Sequence, residues 1–295
     1  MMPIRVGFIG CGEVGSIFSA AMREHGADVA AFDVVAEKAA GAGLAFRPLD
    51  ELANWSDCLL STVTTSAAAA VAEACAPHLK AGQLYVDLNS TSPSVKVRLS
   101  EIIRPTGARF VEGAILGAVG VTRASTRILL GGAAAEEAAT ALAALGLRVS
   151  AYSTEIGKAS MFKMLRSIFS KGLEVLILEL LIAGRRAGIE PDLWKDVSEF
   201  MARNPFEHIA ENWLQTHAVA FERRYHEMVQ VRETLGEIGL EPIMTRATEA
   251  FFARSCTLAL QEAFPSKPAS MDEVVAYMEA RLGAELPEAR RGRDG

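Results

Sequence analysis

Six residues constrain this chain more than any others: Gly10-Cys11-Gly12-Glu13-Val14-Gly15 lies between an apolar strand pattern at 4–9 and a helical pattern at 14–25. Each glycine has a separate steric task. Gly10 permits the tight turn, Gly12 lets the backbone approach a pyrophosphate, and Gly15 lets helix and strand pack closely. The pyrophosphate then rests on the free N–H groups and positive end of the helix, so Gly10, Cys11, Gly12, Glu13, Val14 and Gly15 form the expected phosphate turn. A glycine turn alone is a weak signal. This one has the strand before it, the helix after it, and Asp33 at the end of the next strand pattern, 28–32. Asp33 is either a solvated strand-end carboxylate or the group that accepts hydrogen bonds from the adenosine ribose and repels a 2′-phosphate. Val34 and Val35 bring no cation for such a phosphate, and Lys38 is one turn on. NAD is therefore the expected cofactor, with NADP as the alternative.

The first half of the chain alternates apolar runs of strand length, at 4–9, 28–32, 58–63, 84–88 and 108–112, with helical patterns at 66–79 and 94–103. Such alternation gives a parallel sheet covered by helices on both faces. With the glycine turn it specifies the α/β class: an N-terminal Rossmann domain, doubly wound and mostly parallel. Residues 126–130, an alanine-rich helix at 133–145, and 148–152 extend that sheet. Past Ser153 only helical periodicity is found, broken at 188–191, 204–205, 239–242 and 265–268, which specifies an all-helical second domain. The expected domains are 1–155 for the nucleotide and 156–286 for substrate and dimerisation, with a frayed, Arg-rich tail at 287–295. The first helix of the second domain, 157–187, is longer than the usual three turns and needs a partner surface along its length.

Composition excludes several classes. At 295 residues the chain accommodates two domains, and with half its residues apolar and 22% charged it is globular. A net charge of -6 offers no general attraction to nucleic acid or an anionic membrane. Cys11, Cys58, Cys75 and Cys256 have neither metal-ligand spacing nor a disulfide rhythm. They read as small buried apolar residues in a reducing compartment, and no metal is expected. No signal-peptide pattern precedes the first strand. The most apolar stretch, 173–184, is interrupted by Glu174 and Glu179 and is too short to span a bilayer. A cytoplasmic location is expected.

In open parallel sheets, ligands bind beyond the carboxyl ends of the strands. Two polar loops fall there: Ser61-Thr62-Val63-Thr64 and Asp87-Leu88-Asn89-Ser90-Thr91-Ser92-Pro93. Thr62, Val63, Thr64 and Asn89 are the candidates for the cofactor, and Ser90 and Thr91 for the substrate. Equally, Ser90 or Ser92 simply caps the helix that begins near Pro93.

Together with Gly157-Lys158-Ala159-Ser160-Met161-Phe162-Lys163, these motifs resemble the β-hydroxyacid dehydrogenase and 6-phosphogluconate dehydrogenase superfamily over nearly the whole chain. The nearest likeness is to a branch with a distinct helical C-terminal domain. The resemblance implies that a lysine six residues after a glycine, at the start of the interdomain helix, is the general acid/base; here that is Lys163. It gives a proton to the carbonyl oxygen as hydride arrives, or removes it during alcohol oxidation. The chemistry needs an amine that reaches the oxygen and whose pKa is brought toward neutrality. Periodicity alone reads Lys163, Ser167, Ser170 and Glu174 as a solvated polar stripe, with Met161, Met164, Leu165, Ile168 and Gly172 opposite. The resemblance reverses that reading for Lys163. Lys158 reads as surface, and Lys171 stays open.

The chain also departs from the family. Ser167 stands where an asparagine is common, four residues after the lysine. The family's substrate-carboxylate loop usually ends in serine-glycine-glycine, whereas the matching stretch here is Glu112-Gly113-Ala114-Ile115-Leu116-Gly117-Ala118, with Leu116 in place of the serine. Leu116, Gly117, Ala118 and Ser167 are the expected substrate contacts. Backbone N–H groups near Gly117 suit an anion, while Leu116 suits a bulkier or less polar substrate. Arg123 and Arg127 either clamp an acid or lie on the surface. Arg223-Arg224-Tyr225-His226-Glu227-Met228 falls where the superfamily often brings a basic residue toward the nicotinamide or substrate, so His226 is a candidate proton-handling group; a solvated face is the plainer reading. Met201, Phe206, Trp213 and Phe221 read as core or subunit contact.

The expectation is an NAD(P)-dependent oxidoreductase that moves hydride between a nicotinamide and the alcohol or carbonyl carbon of a small β-hydroxy acid or sugar acid. It is expected to be a C2 homodimer through the helical domain. Two alternatives stay open. One is an imine reductase on the same fold, which Leu116 favours and Lys163 disfavours. The other is a catalytically silent nucleotide-binding sensor, motivated by Ser167 and Leu116.

Overall fold

Short apolar strands alternate with helices from the start of the computed structural model, which describes residues 3–282. The tail expected to fray, 287–295, lies outside the described residues. β1 (Arg5–Ile9), α1 (Glu13–Glu24), β2 (Asp28–Phe32), α2 (Ala36–Gly41), β3 (Ala45–Phe46), α3 (Leu49–Trp55) and β4 (Cys58–Ser61) form the first half of the sheet domain. α4 (Ala68–Cys75), β5 (Leu84–Asp87), α5 (Pro93–Ile103), β6 (Arg109–Leu116), α6 (Val119–Thr122), β7 (Arg127–Gly131), α7 (Ala135–Ala144) and β8 (Val149–Ser153) complete it. The eight strands lie in the order β3-β2-β1-β4-β5-β6-β7-β8, parallel except where β6 meets β7.

Both faces of the sheet are covered, which is why its strands read as continuous apolar runs rather than alternating ones. One core gathers Val6, Phe8, Phe18, Met22, Val86 and Leu142; the other gathers Ile9, Leu52, Leu59, Tyr85, Leu99 and Ile103. Cys11, Cys58 and Cys75 are buried as expected, but Cys256 is exposed. It stands just beyond a helix end on a surface turn, so it is not the buried apolar residue that its type suggests.

Several elements differ from the sequence expectation. The strand expected at 108–112 runs on through Leu116, so most of the stretch expected as a substrate loop is β6, paired antiparallel with Arg127–Gly131. Glu112 looked like a strand end because a charge breaks the apolar run. It stays inside because its carboxylate is fully bonded, as shown below. β3, with α2 and α3 on either side, had no counterpart in the sequence reading; it is two exposed residues long, too short for a periodicity to register.

Compact packing divides the chain between Phe169 and Ser170, within the helix α8 (Lys158–Arg186). The first turns of α8 belong to the sheet unit. The second unit takes the rest of α8 with α9 (Glu190–Arg203), α10 (Phe206–Glu237), α11 (Ile243–Ser255), α12 (Leu260–Ala263) and α13 (Met271–Leu282). No strand follows β8 among the described residues. Its core is small: Phe221, Leu258 and Leu260, with Phe252, Phe264, Tyr277 and Met278 against them. Glu179, one of the two charges that break the apolar run of α8, accepts the amides of Met244 (2.7 Å) and Thr245 (2.8 Å) and the Thr245 hydroxyl at the start of α11. Desolvation would raise its pKa, but these bonds and the Ile243 amide outweigh it and hold the carboxyl below its ordinary value.

Candidate functional site

β1 and β4 are neighbours although β2 and β3 lie between them in the chain. The strand order reverses there, and a crevice opens beyond their carboxyl ends. Gly10 turns out of β1 at φ +96°, and a Cβ on it would stand 2.6 Å from the Thr62 carbonyl oxygen. A Cβ on Gly15 would run into the Gly10 carbonyl, whereas one on Gly12 would meet nothing within 4 Å. The first turn of α1 has no side-chain cap, so its N–H groups are left for a ligand. A cavity of about 300 Å³ adjoins this turn, lined by Gly10, Gly12, Asp33, Lys38, Thr62, Val63 and Thr64. Cleared space over a glycine, uncapped helix amides and a cavity beyond the reversal point fit the pyrophosphate and adenosine half of a dinucleotide.

The remaining turn residues build the cradle. Thr62 Oγ1 donates to the Gly10 carbonyl (2.7 Å), tying β4 to the turn. Val14 packs against the core, and Glu13 lies against Gly120 of α6. Asp33 is buried, and its two oxygens accept the amides of Cys11 (2.8 Å) and Val35 (2.9 Å). The carboxylate therefore braces the turn and keeps lone pairs for ribose hydroxyls. Lys38 Nζ stands 4.0 Å from Asp33 and is the cation beside this part of the cavity. Burial, and after it Asp33, push the Cys11 thiol up to about 11, so it stays protonated at neutral pH.

The second centre lies at the ends of β5 and β6. Asp87 and Glu112 are register partners there, and both are completely buried. Two adjacent buried carboxylates demand compensation, and each receives a different kind. Lys96 of α5, itself completely buried, donates to an Asp87 carboxylate oxygen, to the Asp87 carbonyl (2.9 Å) and to the Asn89 carbonyl (2.7 Å). Asn89 Nδ2 donates to the other Asp87 oxygen (2.6 Å) and to Ser61 Oγ (2.9 Å). Glu112 instead accepts the amides of Gly157 (2.7 Å) and Ala159 (3.0 Å) and the Ser160 hydroxyl (2.6 Å), so it caps α8 from outside the helix.

That cap fixes where the first turns of α8 begin, and Lys163 lies just beyond it. Its Nζ donates to Ser90 Oγ at 2.5 Å, and the side chain is partly buried. Burial, and after it the Lys96 ammonium, lower the pKa of the Lys163 amine. The stripe expected to be solvated is thus partly covered over its first turns. Lys163, Ser167 and Ser170 are partly covered and Glu174 is exposed; on the opposite side Met161, Leu165 and Ile168 are exposed, while Met164 and Gly172 are partly covered.

Other expected residues have mixed placements. Ser92, not Ser90, caps α5, accepting the Val95 amide (3.4 Å). Thr91 Oγ1 and Asn89 Oδ1 are buried and have no hydrogen-bond partner among the described residues. Leu116 packs with Phe162 beside Ala114, Leu129 and Ala159, forming an apolar wall next to the Lys163 turn. Gly117 follows at φ +148°, and Ala118 precedes α6. Ser167 donates its hydroxyl back to the Lys163 carbonyl (2.9 Å), an ordinary intrahelical bond. Lys158 and Lys171 are exposed partners of Glu155 and Glu174, and Arg123 and Arg127 are exposed. His226 is exposed on α10 in the second unit, its ring against Tyr225.

Comparison with known proteins bears on this arrangement. Residues 5–154 match the family described as the NAD binding domain of 6-phosphogluconate dehydrogenase, and residues 185–255 match a domain of unknown function, DUF1932. The chain belongs to this 3-hydroxyacid dehydrogenase-like family. It is 26% identical to mouse (Mus musculus) mitochondrial 3-hydroxyisobutyrate dehydrogenase over 64% of this chain; the matched stretch spans 59% of that enzyme. It is 31% identical to a conserved protein whose solved structure is described as similar to 3-hydroxyacid dehydrogenases, covering 90% of this chain and 100% of that one at a TM-score of 0.59. The Myxococcus stipitatus imine reductase, solved with NADP+, shares the fold at a TM-score of 0.73 and 18% identity, covering 86% of this chain and 94% of that one. The first unit of this dehydrogenase-like protein is therefore an NAD(P)-binding domain.

Lys96, Asp87, Glu112 and Ser61 were not singled out from the sequence of this family member. A signal for Lys96 existed. It shares the buried stripe of α5 with Leu99 and Ile103, and a lysine on such a stripe needs a buried acid. Which acid answers it depends on strand pairing, which periodicity does not report.

Proposed function

We propose that the protein is an NAD(P)-dependent dehydrogenase acting on the alcohol or carbonyl carbon of a small β-hydroxy acid or sugar-acid-like substrate, with Lys163 as general acid/base. One observation carries the reading: an amine of lowered basicity, hydrogen-bonded to Ser90 beyond the strand ends, lies in the same unit as the glycine turn. When bound, the dinucleotide supplies the acceptor or donor of hydride. In the oxidative direction neutral Lys163 takes the hydroxyl proton as the carbonyl forms; in the reductive direction its ammonium returns that proton. Ser90 orients the amine, and Thr91 Oγ1 and Asn89 Oδ1 are buried groups with hydrogen-bonding capacity to offer. Gly117 and Ala118 would approach the substrate by backbone, and the Leu116–Phe162 wall supports a substrate with an apolar portion. Ser167 enters as a further substrate contact.

The test is turnover across 3-hydroxy acids, sugar acids and cyclic imines, followed at the nicotinamide absorbance. Lys163→Ala is expected to lower kcat on the order of 1000-fold while leaving NAD(H) affinity within about twofold of the parent. Unchanged turnover removes Lys163 from the mechanism, turnover of imines alone moves the protein to C=N chemistry, and tight cofactor binding without turnover on the whole panel makes it a sensor.

A further inference from the structure

Lys96 is a lysine with nowhere further to donate. All three of its ammonium protons are placed: on an Asp87 oxygen, on the Asp87 carbonyl and on the Asn89 carbonyl. It cannot bind a substrate, and it is completely buried. Two of its acceptors are main-chain oxygens of the turn that leads from β5 into Ser90, the residue that receives the Lys163 hydrogen bond. The same turn is held from its other side, where Asn89 Nδ2 bridges Asp87 and Ser61 and Asn89 O also accepts the Thr91 amide (2.9 Å). A buried ion pair of this kind contributes little net stability against an apolar replacement, so its presence calls for another explanation.

We propose that Lys96 is the positioning residue of the Lys163 site, acting through the Asp87–Asn89 turn to set Ser90 against the Lys163 amine and standing beneath that amine as a fixed cation. This rests on the reading of Lys163 as acid/base for its functional value, but not for its physics. Within the sheet unit, the buried charged groups on α5, β5 and β6 are Lys96, Asp87 and Glu112, while Arg98 and Glu101 of α5 are exposed and Arg109 at the start of β6 is paired with Glu137. Asp87 is neutralised by Lys96, and Glu112 is bonded to α8 amides and Ser160. Lys158 and Arg166 on α8 itself are exposed and screened by water. The Lys96 charge, fixed and out of solvent, is the one that opposes protonation of Lys163.

The experiment is a pH titration of the lysine side-chain NMR signals of the full chain, with Lys163 assigned through Lys163→Arg. In the parent, Lys163 is expected to titrate below an ordinary lysine. In Asp87→Asn/Lys96→Met, which removes the pair without leaving a lone buried charge, its midpoint is expected to rise toward that of an ordinary lysine. A double variant with unchanged circular dichroism and NAD+ affinity, whose Lys163 midpoint does not move, overturns the proposal. Should that variant fail to fold, the parent decides. Lys96 ammonium protons, all three placed on buried acceptors, must exchange slowly, and fast exchange overturns the proposal. Turnover by Lys163→Ala, measured separately, tests the acid/base reading, so the two ideas can fail independently.

Discussion

Lys163 concentrates the residue-scale physics. Its amine is partly withdrawn from water and faces a fixed cation, so its folded pKa lies below its unfolded one. For a base lowered in this way the unfolded chain holds the extra proton between the two values, and stability rises as pH climbs through that window. Lys163→Met is therefore expected to be at least as stable as the parent at neutral pH, measured by urea unfolding. The same lowering sets the catalytic pH dependence. Oxidation needs the neutral amine and should rise with pH to a midpoint below that of an ordinary lysine, while reduction should fall through the same midpoint. A profile that follows the ordinary lysine value in both directions contradicts the assignment. His217 shows a similar effect in the second unit. Burial, and after it Arg224, lower its pKa, and its Nε2 lies 3.0 Å from Ser255 Oγ. Ser255 donates to the Phe251 carbonyl, so it accepts from a neutral imidazole. Stability should fall as pH drops below about 6.5, where the unfolded histidine gains its proton first. His217→Gln should flatten that part of the pH–stability curve.

At the scale of elements, carboxylates borrowed from elsewhere start two helices. Glu112 of β6 begins α8, and Glu179 of α8 begins α11. A helix N-terminus offers unpaired N–H groups and positive potential, so a carboxylate there can stay charged inside the protein. Glu112→Ala would orphan two buried amides and the Ser160 hydroxyl, and is expected to cost about 2–4 kcal/mol, read from denaturant midpoints at constant slope. Because Glu112 also fixes the start of the helix that bears Lys163, activity should fall further than the folded fraction does. A loss below about 1 kcal/mol would mean that the cap is not held in solution. β6 illustrates how one charge misleads a reading by periodicity. Glu112 marks a strand end only if its carboxylate has no buried partner, and that partner is 45 residues away in the chain.

At the scale of the whole molecule, α8 leaves apolar side chains uncovered. Ile168 is 73% exposed and Leu165 57%, with Leu176 and Leu178 also open, and a large apolar surface on a helix of this length calls for a partner. A second copy of the chain, as proposed from the sequence, predicts a light-scattering mass of twice 31.6 kDa. A mass of one chain at micromolar concentration would exclude it. No helix among the described residues is long and apolar enough to cross a membrane.

Local pattern determined much of this protein. The glycine turn, the strand and helix alternation and the helical second half follow from short-range rules: a turn needs glycine, a covered strand needs an unbroken apolar run, and a helix repeats every few residues. Lys163 is singled out by family resemblance, against the reading that its helical period gives. Tertiary structure alone decided what the charges do. That Lys96 meets Asp87, that Glu112 caps a distant helix, and that Lys163 is partly covered beside Ser90 all depend on which strand ends lie side by side. A buried charge is stabilised only by partners brought to it through the fold, and those partners leave no periodic trace in the sequence.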